Sequence, residues 1–157
     1  MFSSPDHAAE VGMSYMEHLE GIAAGIDDAY QEFSIIGRIV VTCVRHFGPE
    51  RALKVAEQFV ATPHPYVVGF GMGGDEAQFH VKDFVPAFRL ISEIGFKTTT
   101  HAGEFGGPQS IRDSLDYLPI SRIGHGVRAI EDTTLIEELA EKKIPLELCP
   151  GSNVATG

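Results

Sequence analysis

Two short motifs place histidine and glutamate where they can do chemistry. The first reads H-A-G-E at residues 101–104 and follows three threonines, and the second reads G-H-G at residues 124–126. Imidazole binds divalent transition metals, and the carboxylate of Glu104 can act as a general acid or base. Glycines on both sides of His125 leave its ring open to close approach by a ligand. The two motifs therefore indicate a metal site with an acid–base group beside it.

Each motif taken alone also has a plainer interpretation. A surface loop can carry His101 incidentally, and His125 can be a hydrogen-bonded histidine at a tight turn. Two histidines at the ends of neighbouring strands are harder to explain in this way.

A third motif reads G-G-D-E at residues 73–76. The backbone of Gly74 can come close to a flat ligand, and the two carboxylates that follow can accept hydrogen bonds. The alternative is a glycine-rich turn that leads into a solvated acidic helix start. Another turn, C-P-G-S-N at residues 149–153, follows a predicted strand. We interpret Cys149 as a small buried residue, because no basic group that could activate it lies next to it in sequence.

The motifs follow short segments that are apolar or β-branched, as buried parallel strands are. Strands are predicted at residues 38–44, 66–70, 96–100, 121–124 and 144–149. Segments with helical spacing alternate with them, at residues 11–33, 49–61, 79–94, 108–117 and 132–142. Because parallel neighbours need a crossover connection, this alternation predicts a parallel α/β sheet.

Two parallel architectures fit the alternation, an open doubly wound sheet and a closed eight-stranded barrel. The length of 157 residues favours the open sheet. However, the glycine-rich segment 69–74 runs into Asp75 and Glu76 instead of a helix start, so it is no dinucleotide or phosphate fingerprint. In a barrel every strand end opens at one mouth, and here polar residues follow each strand. We therefore predict a partial TIM (β/α)8 barrel.

Composition excludes several classes of function. The net charge of −10, from 22 acidic and 12 basic residues, opposes binding to phosphate backbones, so we predict no nucleic-acid partner. No apolar run reaches the roughly 18 residues of a membrane helix, and the first residues do not resemble a signal peptide. We expect a cytoplasmic protein with no membrane partner. Its cysteines, Cys43 and Cys149, form no CxxC motif and are expected to be reduced.

In their order and spacing the motifs resemble the adenosine deaminase family of metal-dependent hydrolases. The resemblance rests on T-H-A-G-E at 100–104, R-I-G-H-G-V at 122–127, G-G-D-E at 73–76 and L-C-P-G-S-N at 148–153. It implies a (β/α)8 barrel with one catalytic zinc ion. It also implies hydrolytic deamination of a purine nucleoside, adenosine to inosine and ammonia, so a small purine nucleoside is the expected partner. The oligomeric state stays open.

The resemblance implies a role for each of four residues. His101 would be a zinc ligand, and Glu104 would protonate N1 of the purine so that C6 becomes electrophilic. His125 would orient the water that attacks C6, and Gly74 would contact the purine through its backbone. Zinc lowers the pKa of bound water to roughly 7, and a carboxyl group that stays protonated at neutral pH needs a water-poor pocket.

The sequence departs from the family pattern at both ends. The family's first strand ends in an H-x-H pair of zinc ligands and its last strand in an aspartate pair, and neither occurs here. By this count, residues 1–157 form one incomplete (β/α) barrel domain that holds about strands two to seven. A catalytic zinc ion usually has at least three protein ligands, and only His101 is assigned. We therefore expect a fragment with little activity alone.

Two alternatives to adenosine deamination stay open. A closely related enzyme would act on adenine itself or on a modified purine, although the G-G-D-E motif favours a nucleoside by resemblance. In a different class, the chain would be a non-catalytic remnant that binds a purine without metal.

Overall fold

A computed structural model describes residues 1–156 and places six strands in one parallel sheet. The strands are β1 (Phe2–Ser3), β2 (Ile39–Val44), β3 (Val67–Gly73), β4 (Lys97–Ala102), β5 (Arg122–His125) and β6 (Leu146–Glu147). Each strand pairs with the next one along the chain, so the strand order in the sheet is the chain order. A doubly wound sheet reverses its strand order, whereas a TIM barrel does not. The prediction of a partial barrel is confirmed.

Helices connect the strands, as parallel pairing requires. They are α1 (Pro5–Glu10), α2 (Tyr15–Phe33), α3 (Pro49–Ala61), α4 (Val85–Glu93), α5 (Pro108–Tyr117), α6 (Thr133–Glu141) and α7 (Pro150–Thr156). Among the helices within residues 1–156, none has both the length and the apolar character needed to cross a membrane.

Several boundaries differ from the predicted ones, and three of them change an element's start or length most. The helix predicted from residue 11 begins at Tyr15, because Ser14 and Glu17 form a capping box at its start. The helix predicted at 79–94 opens with a 3-10 turn, Val81–Phe84, before α4. The last strand covers only residues 146–147, and helix α7 follows where a turn was predicted.

The larger core lies between β2, β3 and the helices α2, α3 and α4. Phe70 of β3 is fully buried there and packs edge-on against Phe59 of α3 and Phe88 of α4, with ring centroids 6.2 and 5.4 Å apart. A second cluster joins β4 and β5 to α5 and α6 through Ala102, Ile111, Ile123, Leu135 and Leu139. These two clusters fix the helices against the sheet and so hold the strand ends in place.

The second cluster is braced at its edge by Asp132, which caps α6. Its Oδ1 accepts hydrogen bonds from the backbone N–H groups of Thr134 and Leu135 at 3.0 and 3.1 Å. Its Oδ2 accepts one from Arg112 of α5 at 2.8 Å. The bond from Arg112, followed by those from the Thr134 hydroxyl and the Leu135 N–H, holds the pKa of Asp132 well below its usual range. The cap thus ties α6 to α5.

Replacing Phe70 with alanine should destabilise the chain by about 3–5 kcal/mol, because the cavity lies between three packed elements. Urea unfolding measures this loss. Val68→Ala on the same strand is the control, since Val68 is exposed and its truncation should change stability by no more than about 0.5 kcal/mol. Equal effects of the two substitutions would contradict the assigned core.

Acid should weaken the tie between α5 and α6. The folded pKa of Asp132 lies below the unfolded value of about 3.9, so its charge stabilises the fold above that pH. This contribution is lost as the pH falls below about 4 towards the folded pKa. We expect the urea midpoint of the wild-type chain to fall more steeply with acid than that of Asp132→Asn, whose amide oxygen keeps the cap. Parallel curves would refute this assignment.

Candidate active site

The candidate site lies at the carboxyl ends of β4 and β5. Parallel pairing sets His101 opposite Gly124 and Ala102 opposite His125. As a result the two imidazole rings lie 4.6 Å apart between centroids, at an angle of 76°. The structure therefore brings together the two histidines that the sequence placed at neighbouring strand ends.

Glycines on the two neighbouring strands make room for the ring of His101. A Cβ atom at Gly124 would lie 2.6 Å from Cδ2 of His101, and one at Gly73 would lie 3.2 Å from its Cε1. Neither glycine has a positive φ. Both are therefore needed for the space they leave and not for their backbone conformation. Sequence reasoning missed this role, because the distance between strands carries no local signal.

Glu104, in the loop after β4, reaches both histidines. Its Oε2 lies 3.4 Å from Nε2 of His125 and 4.0 Å from Nδ1 of His101. The side chains of Glu104 and His125 are only 9% and 4% exposed. Nδ1 of His125 lies 3.4 Å from Oδ1 of Asn153, a contact that orients the ring. The cluster therefore offers proton-transfer groups that are largely shielded from solvent.

Two further features of the histidines are the backbone conformation of His125 and the lowered pKa of His101. His125 has a φ of 63°, a left-handed conformation that is strained for a residue with a side chain. Burial lowers the pKa of His101, and His125 lowers it further, while Glu76 and Glu147 act in the opposite direction. The lowered pKa favours neutral imidazole, the form that binds metals.

The cluster also fits a divalent metal by the chemistry of its donors. His101, Glu104 and His125 each offer one donor atom, and these atoms lie within 4.8 Å of one another. Imidazole nitrogen and carboxylate oxygen are ligands that zinc accepts at roughly 2.0–2.2 Å. Of the three, only His101 is the zinc ligand that the family resemblance implies.

Gly74 lies at the end of β3, beside His46 and outside the histidine–glutamate cluster. Its φ is 100°, and a Cβ atom there would lie 2.8 Å from Nδ1 of His46. Glycine is therefore required both by the backbone and by the close approach of the ring. The residue is exposed, so its backbone can be reached by a ligand. Its contact with a purine stays a prediction.

The alternative interpretation of Glu76, as part of a solvated acidic helix start, is wrong. Glu76 is 7% exposed, and its carboxylate accepts hydrogen bonds from backbone N–H groups of the loop that carries Glu104. Its partners are 27 or more residues away in sequence, too far for a local pattern to indicate. Cys149 also differs from expectation, because it is exposed.

Comparisons with known proteins find a matching family model and similar relatives. Residues 1–157 match the family model described as Adenosine deaminase. The chain is 47% identical over 153 residues to an adenine deaminase of Chelativorans sp. (strain BNC1), an alignment that covers 98% of this chain and 47% of that protein. The chain thus spans about half the length of the curated relatives it matches.

Two solved structures are similar in fold. An adenine deaminase from Arthrobacter aurescens has a TM-score of 0.90 and 28% identity, covering 98% of this chain and 46% of that one. An amidohydrolase from Burkholderia ambifaria with bound Zn has a TM-score of 0.86 and 28% identity, covering 92% of this chain and 40% of that one.

Metal binding tests whether the space that Gly124 leaves for the ring of His101 matters. We expect Gly124→Ala to weaken Zn²⁺ binding by about tenfold or more, as His101→Ala should, because the added methyl displaces the imidazole. Gly25→Ala is the matched control, since a Cβ atom at Gly25 meets nothing within 4 Å. Titration calorimetry of the chain measures the three affinities. Unchanged binding by His101→Ala would show that its ring does not hold the ion, and unchanged binding by Gly124→Ala alone would show that the space left by Gly124 is not needed for binding.

Proposed function

The chain belongs to the adenosine deaminase family, and from this membership we propose that it carries part of the active site of a hydrolytic purine deaminase. The observation that supports this most directly is the cluster of His101, Glu104 and His125, whose donor atoms lie within 4.8 Å of one another. Metal binding and proton transfer, the two requirements of hydrolytic deamination, are both within the chemistry of these side chains.

We propose adenine as the substrate. Support comes from the relatives that match nearly the whole chain at 47% and 48% identity, which are adenine deaminases, and from the similar structure from Arthrobacter aurescens. Adenosine, the substrate expected from the family resemblance and the G-G-D-E motif, is less well supported. The reaction would add water to adenine and release hypoxanthine and ammonia.

In this proposal Glu104 delivers a proton to N1 of the purine. Protonation there withdraws electrons from C6, the carbon that carries the amino group. His125 lies 3.4 Å from Glu104 and holds the attacking water through Nε2, while Asn153 fixes the ring from its other side. Water adds to C6 and passes one proton through His125 to the amino group. The tetrahedral carbon then loses ammonia, and the second proton of the water returns to Glu104. Proton transfer by positioned groups of this kind contributes about 10²–10⁴-fold to a rate.

His101 is the residue proposed to hold a zinc ion, and the bound Zn of the Burkholderia ambifaria amidohydrolase supports that choice of metal. When bound, zinc supplies a Lewis acid and lowers the pKa of water to about 7. Gly74 is proposed to contact the purine through its exposed backbone at the end of β3.

A chimaera tests the proposal, because the chain aligns with 47% of the Chelativorans enzyme. With this chain in place of the matching segment, we expect release of ammonia from adenine in preference to adenosine. Glu104→Gln in the chimaera should lower kcat by about 10²–10⁴-fold, since an amide cannot donate the proton. Glu141→Gln, the same change at an exposed position of α6, should leave kcat unchanged.

Two results of these assays would contradict the proposal. One is a folded chimaera in which Glu104→Gln is as active as the parent. The other is an active chimaera that prefers adenosine, which would restore the nucleoside as the substrate. The chain alone with Zn²⁺ is expected to turn over little adenine, and fast turnover would overturn that expectation.

A further inference from the structure

The loop that carries Glu104 is folded around a second carboxylate, that of Glu76. Oε1 of Glu76 accepts hydrogen bonds from the backbone N–H groups of Glu104 at 2.8 Å and Phe105 at 3.4 Å. Oε2 accepts those of Gly103 at 3.1 Å and Gly106 at 3.0 Å. Four consecutive backbone donors therefore converge on one side chain from another strand end.

The hydroxyl of Ser110 and the absence of a side chain at Gly106 complete the set of contacts around the Glu76 carboxylate. The hydroxyl of Ser110, in the first turn of α5, donates to Oε2 of Glu76 at 2.7 Å. Gly106 has no room for a side chain, since a Cβ atom there would collide with the same oxygen. On the other side of the loop, Arg128 donates to the carbonyl oxygen of Phe105. The loop is thus held through its amides by Glu76 and through a carbonyl by Arg128.

A buried arginine holds the turn that follows Glu76. Arg45, 6% exposed, donates to the carbonyl oxygens of Gln78 and Phe79, both at 2.9 Å, and so closes the turn that follows Glu76. The guanidinium also contributes a positive charge close to Glu76. The turn after Glu76 is therefore held by a residue that directly follows β2.

We propose that Glu76 is a positioning residue, whose carboxylate shapes loop 103–106 so that the side chain of Glu104 lies against His125. The role in catalysis rests on the proposed function, in which Glu104 is the proton donor. Four of the five donors belong to Glu104 and its loop neighbours, so the loop cannot keep this shape without an acceptor at their centre. Hydrogen bonds to a charged acceptor are roughly twice as strong as neutral ones.

Glutamine cannot replace this carboxylate. Its side chain offers one acceptor oxygen, and its NH2 group would face N–H donors of the loop. At least two buried donors would then lose their partner, which costs more than an exposed hydrogen bond does. Glu76→Gln therefore changes the charge and the acceptor count with almost no change in volume. Glu93→Gln, the same change at an exposed position of α4, is the matched control.

The test follows two signals in the full chain by nuclear magnetic resonance at one fixed pH, without substrate or metal. In Glu76→Gln we expect the amides of residues 103–106 to exchange hydrogen at least about tenfold faster than in the wild-type chain. We also expect the ring-nitrogen signals of His125 to move towards those of Glu104→Gln, because the contact between Glu104 and His125 is lost. Glu93→Gln should change neither signal.

Unchanged exchange in the loop would overturn the proposal. Faster exchange with unchanged His125 signals would also overturn it, since Glu76 would then stabilise the loop without positioning Glu104. If Glu76→Gln does not fold, Ser110→Ala decides, because it removes one donor and should shift both signals in the same direction by less. Since neither signal depends on turnover, failure of the deaminase assay would overturn the proposed function and leave this result standing.

Discussion

Parallel pairing of β4 with β5 sets His101 opposite Gly124 and carries His125 to the same edge of the sheet. The rings meet there only because the strand on either side of His101 has a glycine beside it. A side chain at Gly124 would displace the imidazole, and a side chain at Gly73 would crowd it. The position of His101, the proposed metal ligand, therefore follows from strand register and from the absence of side chains at Gly73 and Gly124.

Strand pairing alone does not fix the position of Glu104. Glu104 lies beyond the last paired residue of β4, in a loop that strand pairing does not hold. The carboxylate of Glu76 supplies what the loop lacks, because it gathers the loop's amides around one centre. Register thus fixes His101 and His125, whereas the position of Glu104 depends on a contact between two strand ends.

Local patterns predicted the alternation of strands and helices, and polar residues after each strand indicated the mouth of a barrel. Residue type and spacing were enough to select His101, Glu104 and His125 as candidate site residues. The start of α2 was predicted at residue 11 and not at Tyr15, although Ser14 and Glu17 have the spacing of a capping box. Glu76 and the space left by Gly124 could not be found, because each depends on atoms that meet only when distant segments pair.

The choice between adenine and adenosine has a different physical basis. In the proposed reaction the cluster acts on N1 and C6, which belong to the six-membered ring of the purine, whereas the sugar of a nucleoside is attached at N9 of the other ring. Groups that donate protons to N1 and hold water at C6 therefore serve the base and the nucleoside alike. Discrimination between adenine and adenosine must come from residues that face N9, which either form hydrogen bonds with a ribose or exclude it sterically. The H-A-G-E and G-H-G motifs would carry this shared chemistry in the proposed reaction, and for that reason these two motifs favour neither substrate by themselves.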